Sequence, residues 1–151
     1  MKIKLAHFFA SVFYIGKLPL APGTGGSLVA LLVWLLILPN ISSFTLIVLI
    51  VIIFGFGVYI SSIVENELGE NDPSLVVIDE WVGQWIALLF LPYSIKWGII
   101  AFGLFRLFDI WKPYPIRKLD EINGGWGIML DDVLAGIYSL LIIQLVRVCV
   151  L

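Results

Sequence analysis

Cysteine, histidine and charge are all scarce in this chain, and each scarcity removes a class of chemistry. Its 151 residues include one Cys and one His. The lone thiol, Cys149, cannot close an internal disulfide, and no Cys/His cluster exists to hold zinc. Only two residues follow it, too few to wrap a phosphate loop around a thiolate, so its expected role is packing against lipid. His7 lies in the N-terminal segment, far in sequence from the acidic clusters, which leaves a phosphohistidine or histidine-base mechanism without support. Charged residues make up 13% of the chain, with a net charge of -2. No basic stripe with interleaved aromatics runs along any segment, so a nucleic-acid surface is unsupported. Linkers, low-complexity tracts and internal repeats are also missing, and one domain over residues 1–151 is expected.

Apolar sequence is what the chain has in excess: 61% hydrophobic residues and a mean hydropathy of +1.08. This composition predicts an all-α integral membrane protein, a bundle of about five membrane-embedded helices with an N-terminal interfacial helix. Residues 3–15 place Leu5, Phe8, Phe9, Val12 and Phe13 on one face behind Lys2 and Lys4, which suits a helix lying in the membrane plane. A secretory signal is the competing reading, but His7 interrupts the apolar part and no A-x-A site follows. The first span is expected from about Thr24 to Leu38, the second from Ser42 to Ser62. The third would begin near Ser74, with Asp72-Pro73-Ser74 as its cap region, and end at Leu91-Pro92. That would put Asp79 and Glu80 one to two turns inside it. The fourth would occupy 94–111 before Pro113, and the fifth would start at Asp131 or just before it.

Basic residues set the expected orientation. Lys2, Lys4 and Lys17 precede the first span, and Lys112, Arg117 and Lys118 occupy the 109–130 loop, so both regions should be cytoplasmic. Five spans then bring the Gly-rich turn at 22–27, Asp79-Glu80, the 106–118 segment and Asp131-Asp132 to one membrane face. Tyr93, Trp97, Trp111, Tyr114 and Trp126 fall where span ends meet head groups and read as anchors.

Carboxylates are costly near lipid, so their placement implies function. The bland alternative, salt bridges gluing helices together, is disfavoured because the acids outnumber the nearby Arg and Lys. Glycines in PLAPGTGGS (19–27) allow backbone N–H groups to turn toward one point at a helix start, where Thr24 and Ser27 suit a phosphate. Taken alone, such a turn usually just begins a helix, and it lacks the Gly-Lys-Ser/Thr ending of a nucleotide loop. Gly83 and Ala87 follow Asp79-Glu80, and Gly136 follows Asp132. This small-residue spacing lets two acid-bearing helices approach closely. Converging carboxylate oxygens favour a hard cation such as Mg²⁺. In FRLFDIWKPYPIRK (105–118), Arg106 and Asp109 could form a simple intrahelical pair. The functional reading assigns Arg106 and Lys112 to a phosphate dianion, and Asp109 to metal or catalysis. Arg117 and Lys118 could meet acidic head groups or serve as topology determinants.

The motifs PxAPGTxGS at 19–27, DExVG at 79–83, FRxFDxxKPxPI at 105–116 and GGxGIMxDDxxAG at 124–136, in that order and spanning nearly the whole chain, resemble the phosphatidylglycerophosphatase A family. The resemblance implies a Mg²⁺-dependent phosphatase of the bacterial inner (cytoplasmic) membrane, multi-pass, with its active site facing the cytoplasm. Such an enzyme converts phosphatidylglycerophosphate in the bilayer to phosphatidylglycerol. Laid over the physical reading, it implies that Asp79, Glu80, Asp109, Asp131 and Asp132 hold one or two Mg²⁺ ions and supply the catalytic carboxylate. Gly23, Thr24, Gly26 and Ser27, with Arg106 and Lys112, would grip the terminal phosphate. Two alternatives stand beside it. A cation- or proton-coupled transporter would spread its acids along the spans, and a CDP-alcohol phosphotransferase would carry an Asp-Gly-x-x-Ala-Arg run that is missing here. A non-catalytic membrane subunit has no positive feature in its favour.

Overall fold

A computed structural model describes residues 2–150; the side chains of Lys2 and Val150 fall outside the described set, and with them the expected topological role of Lys2. The described residues are all-helical, as the composition predicted, and contain no strand. Helix α1 (Lys2–Ala10) is followed by a reversal through Val12, Phe13 and Tyr14, all at positive φ, and a short 3-10 turn at Ile15–Lys17. Helix α2 (Pro22–Leu36) opens on Pro22, whose missing N–H costs nothing in the first turn. Helix α3 (Ser43–Leu68) is capped by Ser42, whose Oγ accepts the Thr45 N–H at 3.1 Å, and is closed by Gly69 in the left-handed region. Helices α4 (Ile78–Ala87), α5 (Ile95–Trp111), α6 (Ile116–Asp120) and α7 (Gly125–Val150) complete the chain.

Several predicted boundaries are corrected: α3 runs on to Leu68 where Ser62 was the expected end, α4 stops at Ala87 short of Leu91, and two helix starts that bear on the site move as well. The segment 69–77 is irregular, and the helix expected from Ser74 starts only at Ile78, after Val77, which is held outside the helix with its N–H on Ala10 O at 2.9 Å at the end of α1. Asp79 and Glu80 therefore stand in the first turn of α4 instead of one to two turns inside a span. The last helix begins at Gly125, so Asp131 and Asp132 occupy its second turn instead of its start.

Length changes the count of spans. At ~1.5 Å per residue, α3 and α7, with 26 residues each, reach ~39 Å and exceed a ~30 Å hydrocarbon core. Both are long and apolar enough to cross a membrane. Helices α2, α4 and α5 have 15, 10 and 17 residues, or ~22, ~15 and ~25 Å, and fall short. Among the described residues, two helices meet the length and composition of a span, where five were expected.

Short α4 is the hub of the bundle. Eight of its ten residues are buried, and it packs on α2, α3, α5 and α7. Its closest seam is with α7, where glycine faces glycine: a Cβ at Gly136 would run into the carbonyl of Gly83, and one at Gly83 would lie 2.7 Å from Asp132 O and overlap the Phe105 ring. This contact matches the close approach that the small-residue spacing predicted. Helix α1 packs along α3, with Phe9 edge-on to Phe56 at 5.5 Å and His7 Nε2 2.5 Å from Glu67 Oε2. At one end of the bundle, Tyr93 OH donates to Leu35 O, Gln144 Nε2 to Leu89 O and Arg147 Nη1 to Phe90 O. The opposite end gathers the polar residues described next.

Candidate active site

Four helix ends meet around a cavity of about 190 Å³: the starts of α2, α4 and α7 and the end of α5. The α4–α7 glycine seam brings Asp132 to the first turn of α4. One carboxylate oxygen from each of Asp79, Glu80 and Asp132 lies within 4.8 Å of the others. Asp79 and Asp132 are only 6% and 2% exposed. Asp79 Oδ1, Glu80 Oε2 and Asp132 Oδ2 are buried with no hydrogen-bond partner. Carboxylate oxygens left this way are strongly unfavourable unless something cationic meets them. The donor set is all hard oxygen, with no nitrogen or sulfur, so it fits a divalent cation of the Mg²⁺ type that keeps its remaining positions for water or phosphate.

The cations at the cavity are held closely by other acids, with Glu80 as a more distant partner of Arg106. Arg106 Nη1 lies 2.5 Å from Asp109 Oδ2 and 3.7 Å from Glu80 Oε1, and donates to Ser27 Oγ at 3.3 Å. Ser27 Oγ in turn donates to Gly23 O at 2.9 Å, tying the first turn of α2 to α5. Gly23 has to lack a side chain, because a Cβ there would overlap Glu80 Oε1 and sit 3.2 Å from Arg106 Nη1. Lys112 closes α5 in the left-handed region at φ 44, a costly conformation for a residue with a Cβ. From there its Nζ reaches Asp120 Oδ1 at 2.5 Å and Asp131 Oδ2 at 2.8 Å. Burial alone would lower the Lys112 ammonium, but hydrogen bonds to Asp120 and Asp131 and their charges carry it above the ordinary lysine range. Asp131 Oδ1 also accepts the N–H of Asp132 at 2.9 Å.

The structure thus divides the five acids that the sequence grouped together. Asp79, Glu80 and Asp132 converge and each keeps one oxygen without a hydrogen-bond partner, although Glu80 also meets Arg106 through its other oxygen; Asp109 is paired with Arg106 and Asp131 with Lys112, and all five line the cavity. The intrahelical Arg106/Asp109 pair forms, and it edges the cavity. Within the glycine-rich turn, Pro22 and Gly23 line the cavity and Thr24, Gly26 and Ser27 do not. Gly26 packs on Val77, where a Cβ would come within 2.9 Å, and Ser27 faces Arg106.

Sequence reasoning missed two acids. Asp72 lines the cavity mouth at φ 47. The residue as a whole is exposed, yet its carboxyl end is enclosed. That burial raises it above the ordinary aspartate value, Asp120, Asp109 and Glu65 add to the shift, and Lys112 opposes it. Its Asp-Pro-Ser context looked like a helix cap, which hid it. Asp120 binds Lys112 from a run of surface charges, and only the left-handed turn at Lys112, with no signature in sequence, brings them together.

Carboxylates and fixed cations around a small polar cavity, inside an otherwise apolar helical bundle, suit an enzyme that handles a phosphate group with a divalent cation. Comparison with known proteins gives the family. The profile of phosphatidylglycerophosphatase A matches residues 8–147. The chain is 40% identical to phosphatidylglycerophosphatase A of Escherichia coli (strain K12), covering 88% of this chain and 78% of that protein. It is 38% identical to phosphatidylglycerophosphatase A of Haemophilus influenzae, covering 91% and 85%. A Bacteroides thetaiotaomicron protein provisionally named a phosphatidylinositol-3-phosphatase is 44% identical, covering 89% of each chain. No solved structure matches. The chain belongs to the phosphatidylglycerophosphatase A family of phosphoric monoester hydrolases.

Proposed function

We propose that this chain is a Mg²⁺-dependent lipid phosphatase that hydrolyses phosphatidylglycerophosphate to phosphatidylglycerol and phosphate at the cytoplasmic face of a bacterial inner membrane. The observation that carries the reading is the trio of carboxylates, each with one buried oxygen that has no partner, set beside Arg106 and Lys112 in one cavity. Asp79, Glu80 and Asp132 would hold the cation, with Asp109 and Asp131 next to them on the same wall. When bound, Mg²⁺ would supply Lewis-acid polarisation of the phosphate and offset the excess of carboxylate charge.

The residues of the chain divide the remaining work. Arg106, oriented by Ser27 and Asp109, offers its guanidinium to the equatorial phosphate oxygens, where charge builds during displacement. Lys112 neutralises Asp131 and adds a second fixed cation at the rim. The first turn of α2 brings backbone from Gly23 to the same cavity. A carboxylate of the cluster orients water for in-line attack and accepts its proton as the new P–O bond forms; the P–O bond to the glycerol oxygen breaks, and the same proton returns to that leaving oxygen. Acyl chains stay in the bilayer, and only the head group enters.

Multi-pass embedding is part of the proposal. Helices α3 and α7 would cross, and α2, α4 and α5 would be carried within the bundle without each spanning alone. Lys4, Lys17, Arg117 and Lys118 belong to segments flanking the site end, which supports a cytoplasmic site under the positive-inside rule.

The test is phosphate release from phosphatidylglycerophosphate in detergent micelles, with Mg²⁺ or EDTA, for the parent and Asp132→Asn. Release that needs Mg²⁺ and vanishes in the variant is expected. Phosphatidylinositol 3-phosphate runs in parallel because of the name of the Bacteroides relative. Preference for that lipid would replace the substrate while keeping the chemistry. No release from either lipid would refute the phosphatase reading.

A further inference from the structure

We infer that Glu65 is a positioning residue for the Asp131-Asp132 pair, acting from α3 through the backbone at the start of α7. The inference rests on the proposed function, because it concerns how that site is held in register.

Glu65 lies near the end of α3 and is 9% exposed, unlike the solvated glutamates that follow it. Its Oε1 accepts the N–H of Gly124 at 3.1 Å. One turn earlier on the same face, Ser62 Oγ accepts the N–H of Gly125 at 2.9 Å while donating to Val58 O at 2.9 Å. The first N–H groups of a helix have no partner within it and carry positive partial charge, which a carboxylate meets best. The backbone is shaped for this contact. Gly124 has φ 87, a region that favours glycine, and a Cβ at Gly125 would run into the Val58 carbonyl. The start of α7 is thereby pressed onto α3 with two of its amides held.

The consequence is register. Asp131 and Asp132 follow Gly124 and Gly125 by seven residues, so they sit ~10 Å along the axis at ~1.5 Å per residue. Four residues past Asp132, Gly136 rests on Gly83. The catalytic carboxylates thus lie between two fixed points, one at Glu65 and Ser62 and one at the glycine seam. A shift of α7 at its start would pass directly to Asp132 and open its approach to Asp79 and Glu80. A neutral cap such as Ser or Asn would stabilise the helix as well. Glu65 differs from such a cap in reach, because its long side chain carries an acceptor oxygen from α3 across to the Gly124 amide.

The experiment uses the full chain in detergent: the parent, Glu65→Ala, Glu65→Gln and Ser62→Ala. It measures kcat and KM for phosphate release, Mn²⁺ affinity by electron paramagnetic resonance, and thermal unfolding. Glu65→Ala is expected to lower kcat and weaken Mn²⁺ binding, each by ~10–100-fold, the usual range for residues that orient metal ligands, with KM nearly unchanged. Glu65→Gln keeps an oxygen for the Gly124 N–H and should restore most of both. A folded Glu65→Ala protein with parental kcat and Mn²⁺ affinity would overturn the inference, as would a Glu65→Gln protein as impaired as Glu65→Ala. If Glu65→Ala does not fold, Ser62→Ala decides: smaller losses of the same two quantities support the hold, and parental values overturn it. A parent that neither releases phosphate nor binds Mn²⁺ would overturn the proposed function and this inference together, whereas an active parent with indifferent variants would overturn the inference alone.

Discussion

Replacing Gly83 with Ala adds one methyl group at the α4–α7 seam and should cost activity out of proportion to its size. The new Cβ would stand 2.7 Å from Asp132 O, where ordinary contact begins at 3.4 Å, and would also overlap the Phe105 ring. Phe105 is fully buried and has little room to retreat. The obstruction on the other side is backbone, so the helices would have to part by about 0.7 Å, the difference between those two distances. Overpacking of this kind costs ~1–3 kcal/mol of stability. The larger effect falls on the site, because Asp79 and Glu80 belong to one helix of the seam and Asp132 to the other. A misplacement near 1 Å can cost ~100-fold in rate, so kcat for phosphate release should fall by ~10–100-fold. Gly55→Ala and Gly103→Ala are the controls, since nothing lies within 4 Å of a Cβ at either position. Both should match the parent in rate, with unfolding unchanged or slightly later because alanine favours helix by ~0.5–1 kcal/mol. The assay is kcat from initial rates in mixed micelles, alongside thermal unfolding. Gly83→Ala with a parental kcat would refute the claim that backbone contact at this seam sets the carboxylate geometry.

Asp79→Asn should abolish turnover by orders of magnitude while the protein still inserts, which membrane fractionation and the phosphate assay check together. Lys112→Met strands Asp131, whose side chain is 5% exposed, and breaking such a buried pair costs ~3–5 kcal/mol. Denaturant unfolding should show the loss, and Asp131→Asn in the same chain should recover part of it. The Lys112 contribution also carries a pH signature. Its ammonium is held above the ordinary lysine value of 10.5, so on the alkaline side the stabilisation persists past that pH and is lost only as pH rises through the folded value. A stability decline on raising the pH that Lys112→Met removes but that sets in near neutral pH would contradict this. Arg106→Lys keeps the charge but cannot reach Ser27, Asp109 and Glu80 from one planar group, so kcat should drop by ~10-fold or more. Ser27→Ala, which removes a single bond to Arg106, should raise KM only a few-fold.

Much of the site's composition could be read from the chain because costly residues stand out in apolar sequence. Asp79, Glu80, Arg106, Asp109, Lys112, Asp131 and Asp132 were all singled out, and all seven line the cavity. Helix starts at Ser42 and Ser94 were legible too, because a hydroxyl accepting the N–H three residues on is a local device. The start of α4 was not, since the Ala10 carbonyl that takes the Val77 N–H lies far away in sequence. The start of α7 was missed for the same reason, its first amides being held by Glu65 and Ser62 on α3. Thr24, Gly26 and Ser27 were expected at a phosphate because the turn was read in isolation. Once α2 packs against Val77 and Arg106, Gly26 and Ser27 serve those neighbours.

Composition and local pattern alone determined that the chain is helical and apolar and that a few costly acids stand out within it, because burial cost, periodicity and capping act over a few residues. Tertiary structure decided which oxygens are free. Asp131 and Asp132 are adjacent and chemically identical, yet one is tied to Lys112 and the other faces Asp79 and Glu80. That difference depends on a left-handed turn closing α5 and on two glycines letting α4 and α7 touch, contacts between residues that only the assembled bundle brings together.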